Sequence, residues 1–500
     1  MALDQRYYWW AAAAILLLGI GLRFDLTLLP MTDEVLYAVL SMENQHRGFA
    51  GDANAEHPPL AKWFLGLPTH GIPFDMSEFS RLDKTYSTLP PVPFVESLAP
   101  RILPSIRAVS LIFSVLLALA VFLFAKRWLG LEGGLVAFFV MMFSPSLSLF
   151  SNAVMLDMVF LFFFTTCILF YLFEYSGKRD WPRRIVLAIL LFAAMSAKFN
   201  GFYALGVILL FEVIRFIKTK EVDDWLLISV WITAAAFLAV SYPLFKVMWA
   251  FQHYVSGSVS LNADLLLVTL ARIELLVFFL VGLAVFFFWK HGKRDGHAVS
   301  LFVLVGLFFV SVIFNPWPHF RYSLILWPFL ALLAGWGFIH ANGLQRKLAL
   351  AFGVLMLVNA FYYYPYYDSY VNPLGRIIQT PPVERSPVLG VHAFLSNVPE
   401  PIATDDPYHL PFSFQYNATF WWRYAWENGQ LEVSDVIAFG QPICFHHPRL
   451  TQYLWDSGAV YFVRRTDGLQ EPRNCDGLYS LLDQLNVVYQ DANFRVYTLR

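Results

Sequence analysis

Two short polar clusters near the start of the chain have the residue types and spacing for chemistry. Asp33 and Glu34 lie in MTDEVLY, about a dozen residues past the first apolar run, and Glu56, His57 and Lys62 follow in EHPPLAK. Paired carboxylates held on a helix can take a proton from a reacting group, and neighbouring cations can hold an anion. Thr32 is placed to cap a helix beginning at Asp33, which aims the acidic pair at the helix's electropositive end and favours the ionised form. Adjacent helical positions point about 100° apart, so only one of the two needs to face a substrate. Pro58 and Pro59 suit the start of a second helix, whose Leu60, Trp63, Phe64 and Leu67 recur at helical spacing and suit contact with a bilayer. Lys62 on that helix reads equally as a headgroup-level anchor.

What positions these clusters is a membrane protein. Of 500 residues, 58% are hydrophobic, 18% aromatic and only 14% charged, against about 25% charged in soluble proteins. The mean hydropathy is +0.54. The net charge of −1 carries no message about nucleic acid, and with no compact basic patch interleaved with aromatics no nucleic-acid partner is expected. Apolar runs occur at 8–22, 104–125, 134–150, 156–174, 184–197, 201–217, 225–247, 264–289, 299–314, 322–339 and 348–365, predicting about eleven transmembrane helices.

With the N-terminus in the cytoplasm, the inner loops hold fourteen lysines and arginines, among them Lys126, Arg127, Arg183, Arg184, Lys290 and Arg346. The short outer loops hold few, notably Lys198 and Arg321. The positive-inside rule therefore predicts that the first loop and everything after 366 face outward. The outer face then collects Asp33, Glu34, His57 and Lys62 with Asn152 and Asp157 of SNAVMLD, Lys198 and Asn200 of AKFNG, and His319, Arg321 and Tyr322 of NPWPHFRYS. Ionisable groups at membrane depth are costly and usually functional. Asp157 reads as a site residue or as a helix cap, and Lys198 as an anion ligand or a snorkelling anchor.

Beyond 370 the composition becomes mixed. PIATDD, GAVYFVRR and NFRVYTLR read as short strands and HAFLSN and YSLLDQL as short helices, predicting a small extracytoplasmic α/β domain over 370–500 after a membrane domain over 1–369. Within the latter, 23–103 forms the first external, catalytic loop. Cys167 falls in an apolar run and reads as core. Cys444 and Cys475 fall in the polar part, where an oxidising compartment lets them pair.

The acidic pair after the first membrane helix, followed by HPPLAK, resembles the first external loop of the protein O-mannosyltransferases and their prokaryotic relatives in the GT-C superfamily of integral-membrane glycosyltransferases. APRILPSI (Arg101, Pro104, Ser105), MLD at Asp157, AKFNG and FRYSLILWPFLALL extend the likeness, in order, to about residue 340. The aminoarabinose transferases acting on lipid A are similar, although their loop usually reads KPPL. The inserted external domain of eukaryotic protein mannosyltransferases has no counterpart here.

The resemblance implies transfer of a sugar, mannose or another, from a polyprenyl-phosphate donor to a hydroxyl of a protein, lipid or glycan on the outer face of the membrane. That membrane is the plasma membrane, or the endoplasmic reticulum in a eukaryote. A hydroxyl attacking an anomeric carbon needs a carboxylate to take its proton, and Asp33 or Glu34 supplies it. A phosphate leaving group needs cationic partners, for which Lys198, Arg321, His57 and Lys62 are the candidates, with His319, Tyr322 and Asp157 beside them. The motifs demand no cofactor; a divalent metal, if one takes part, falls to Glu34. A transporter or flippase of lipid-linked sugars is the competing class, but the charges gather at one face rather than at the bilayer midplane.

Overall fold

The computed structural model describes residues 5–23, 34–47, 58–72, 92–151, 153–175, 180–238, 274–291, 295–313, 320–362, 394, 402–404, 418–420, 460–465, 480, 482–490 and 494–499. The helices are α1 (Gln5–Arg23), α2 (Glu34–Arg47), α3 (Pro59–Gly66), α4 (Val92–Phe143), α5 (Pro145–Ser151), α6 (Leu156–Leu169), α7 (Trp181–Ala197), α8 (Phe202–Thr219), α9 (Asp224–Leu238), α10 (Leu275–His291), α11 (Gly296–Ile313), α12 (Trp327–His340) and α13 (Gly343–Tyr362). The described parts of the apolar runs fall on these helices, on an arm of α4 or on the short turns that join them. Among the described residues, four stretches are long and apolar enough to cross a membrane: Ile102–Phe143, Leu156–Tyr175, Phe199–Thr219 and Ser323–His340. Asp224–Leu238, Leu275–Lys290 and Gly296–Val312 are apolar but shorter.

α4 carries two of the apolar runs because it is broken at Gly130, whose φ of 73° is open to glycine and strained for other residues. A Cβ on Gly134 would stand 3.0 Å from the Lys126 backbone. Eight residues along a continuous helix span about 12 Å, so the chain doubles back here. The reversal packs on α12, where Gly335 approaches the Gly133 carbonyl. Trp327, Trp336, Phe138, Phe143 and Phe164 are among the largest buried side chains of the core.

α6 runs on into a π-helical turn, Phe170–Tyr175, so the continuous segment has 20 residues. Its length is about 30 Å, close to the hydrocarbon thickness of a bilayer. Asp157 lies at one end. At the other, Glu174 pairs with Arg127, Tyr171 donates to Glu212 over 2.7 Å, and Tyr175 donates to Asp223. Arg184 reaches both Asp223 oxygens at 2.9 and 3.0 Å. Burial pushes the Asp223 carboxyl up, but hydrogen bonds from Tyr175, Arg184 and the Leu226 N–H outweigh it and hold the pKa below its ordinary value. The arginines of this end are therefore largely matched by carboxylates.

In α2, Tyr37, Ala38 and Leu40 through Asn44 are all buried, because α3 and α4 pack against it.

In the C-terminal part, β1 (Ile402–Thr404), β2 (Ala418–Phe420), β3 (Tyr461–Arg465), β4 (Val487–Gln490) and β5 (Phe494–Thr498) form one mixed sheet in the order β2-β1-β3-β5-β4. β1 runs parallel to β2 and β3, whereas β5 pairs antiparallel with β3 and β4. The three expected strands are present, and β2 and β4 were missed. YSLLDQL is helical only at Ser480 and Leu482 among the described residues, then turns at Asp483 towards β4. Cys167 is fully buried, as expected. The boundary at 370 and the Cys444–Cys475 pair lie outside the described residues.

Candidate functional site

α6 and α7 are antiparallel neighbours, so the start of one meets the end of the other. Asp157 is the second residue of α6, where the helix dipole favours a carboxylate. Lys198 leaves α7 in an extended conformation (φ −158°, ψ 147°), and the 3-10 turn Phe199–Gly201 then starts α8. The turn is closed by the Gly201 N–H donating to the Lys198 carbonyl over 2.8 Å. A Cβ at Gly201 would sit 2.2 Å from the Ala194 carbonyl oxygen, which is why this tight turn carries glycine. Lys198 Nζ donates to Asp157 Oδ1 over 2.6 Å, with the two residues 6% and 5% exposed. A pair so sealed from water repays its desolvation only in good geometry.

α3, which continues the HPPLAK motif, packs against α4, α6 and α7. Its Leu60, Trp63, Phe64 and Leu67 stripe is the more exposed side, while Ala61, Lys62, Leu65 and Gly66 face inward. Lys62 has no exposed surface, which rules out a headgroup-level anchor. Gln45 Nε2 donates to the Trp63 carbonyl over 2.6 Å and ties α2 to α3. The 3-10 segment Phe320–Leu326, which carries Arg321 and Tyr322, packs on α5 and α6. The elements bearing Glu34, Lys62, Asp157, Lys198, Arg321 and Tyr322 are thus linked by direct packing. For Glu34, Arg321 and Tyr322 the description stops at the backbone, and Asp33, His57, His319, Glu56 and Asn152 lie outside the described residues. Among the described residues no three His, Cys, Asp or Glu side chains gather to hold a metal.

Sequence reasoning missed a second buried polar group, formed by Arg23 and Glu274 with the serines of FSPSLSLFS. The available signal was Glu274 itself, a carboxylate inside the apolar run 264–289.

Residues 51–263 match the family model described as dolichyl-phosphate-mannose-protein mannosyltransferase. His57, Lys62, Asp157 and Lys198 fall inside that span; Asp33, Glu34 and Arg321 do not. Among solved structures, ArnT from Cupriavidus metallidurans in the apo state matches with a TM-score of 0.55 and 14% identity, over 99% of this chain and 98% of that one. The same protein bound to undecaprenyl phosphate matches with a TM-score of 0.55 and 15% identity, over 97% of each chain. No curated protein is matched by sequence. The family span and the whole-chain structural match bear out the resemblance: this chain has the fold of a GT-C superfamily membrane glycosyltransferase.

Proposed function

We propose that the protein transfers a sugar from a polyprenyl-phosphate donor to a hydroxyl acceptor at the outer face of the membrane. The observation that carries this reading is the buried Lys198–Asp157 pair, formed between two helices that both pack on the HPPLAK helix, within the span that matches the mannosyltransferase family. An ArnT structure with this fold holds undecaprenyl phosphate, and the matched family is named for a dolichyl-phosphate donor.

Asp33 takes the acceptor's proton as its oxygen bonds to the anomeric carbon, and Glu34 orients the acceptor or holds a metal. The bond from that carbon to the phosphate oxygen breaks, and the phosphate leaves on its lipid as the dianion. Lys198 and Arg321 stabilise that charge, assisted by His57, Lys62, His319 and Tyr322, while Asp157 orients Lys198. Binding such a leaving group needs charge rather than a strong acid, which matches a site with one base and several cations.

Purified protein in lipid nanodiscs, supplied with polyprenyl-phosphate mannose and a panel of serine peptides, glycolipids and glycans, tests the reading. Release of polyprenyl phosphate together with a glycosylated acceptor is expected. Movement of the lipid-linked sugar across a vesicle bilayer with no glycoside formed would make the protein a flippase instead.

A further inference from the structure

We infer that Arg23 and Glu274 are positioning residues for the Asp157–Lys198 pair, acting through the buried serine turn that leads into α6. The inference rests on the reading of that pair as the phosphate site. Glu274 Oε1 accepts from Ser144 Oγ at 2.6 Å and from the Ser146 N–H at 3.0 Å, while Ser144 Oγ accepts the Leu147 N–H at 3.2 Å. The first turn of α5 is thus capped by a carboxylate 128 positions away in sequence. From the other side, Arg23 donates from Nε to Ser148 Oγ (3.3 Å), from Nη1 to Ser114 Oγ (2.5 Å) and from Nη2 to the Met141 carbonyl (2.6 Å).

Both charged residues are fully buried, and Glu274 Oε2 has no hydrogen-bond partner among the described residues. Buried charge is a poor way to gain stability, since well-packed apolar side chains do as well or better; what it holds is one geometry. That geometry concerns the site on two sides. Nine residues beyond Ser148, through a turn in which the Met155 N–H donates to the Ala153 carbonyl (2.8 Å), the chain reaches Asp157. α5 also packs on the segment carrying Arg321.

The test uses the full chain in nanodiscs with undecaprenyl phosphate as probe, comparing wild type, Glu274→Gln, Lys198→Ala and the double variant, with thermal unfolding of each. Coupling through a packed network changes affinity by roughly 2- to 30-fold. Glu274→Gln is expected to weaken binding within that range, and the double variant to bind little worse than Lys198→Ala alone. Should Glu274→Gln fail to fold, Ser148→Ala, which removes one contact and no charge, carries the same comparison. A lowered unfolding temperature with unchanged affinity, or losses that simply multiply, overturns the positioning role and leaves the proposed function standing. An unchanged affinity in Lys198→Ala overturns the phosphate site and the inference with it.

Discussion

Lys198 donates to Asp157 across 2.6 Å, joining the end of α7 to the first turn of α6 in a pair almost closed to water. The carboxylate fixes the direction in which the ammonium lies. Removing either partner takes a counter-charge from a buried ion, at about 3 to 5 kcal/mol.

For the phosphate contacts, Lys198→Ala and Arg321→Ala are each expected to weaken donor use by roughly 10- to 150-fold, the worth of one charge-assisted hydrogen bond. Titration with undecaprenyl phosphate, alongside single-turnover transfer, measures it. A folded double variant with normal binding and turnover would return both residues to anchoring roles.

Asp33→Asn keeps the shape of the side chain and removes its basicity. Turnover should fall on the order of 10² to 10⁴ with donor affinity nearly unchanged, and Glu34→Gln should cost less. An active Asp33→Asn beside an inactive Glu34→Gln would exchange their roles.

Asp223 titrates below its ordinary value because Tyr175, Arg184 and the Leu226 N–H bind its charged form. A depressed carboxylate pKa contributes stability that is present above its unfolded value, about 4, and lost as pH falls through the lowered folded value. Asp223→Asn should reduce stability at pH 7 by about 3 kcal/mol, since it leaves the buried Arg184 unpaired. It should also flatten the acid limb of the unfolding temperature against pH. An unshifted acid limb would show that the carboxylate is not what the acid titrates.

The topology is checked by cysteine labelling in sealed membranes. Residue 500 is expected outside, and the loop at 178–184 inside. Labelling of both from the same side would mean an even number of crossings between them and would overturn the count of eleven.

Much of this architecture is local and so was readable along the chain. Hydropathy is a property of successive residues, and the described parts of the apolar runs are largely helical. The AKFNG turn is legible for the same reason, because Gly201 is set by its approach to Ala194 seven residues earlier. The reversal inside α4 likewise sits at a glycine between two apolar runs. What the sequence could not contain is which side of an element meets which neighbour. Helical spacing marked the Leu60–Leu67 stripe of α3, but only tertiary packing, in which α2, α4, α6 and α7 all meet this helix, buried Lys62. Asp157 and Lys198 were separately recognisable as charges at membrane depth; their pairing across 41 positions follows from the antiparallel contact of two helices. The Arg23 and Glu274 network spans still longer separations. Such contacts are decided by tertiary structure because a buried charge is tolerated only where distant chain segments bring it partners, and no local pattern records which segments those are.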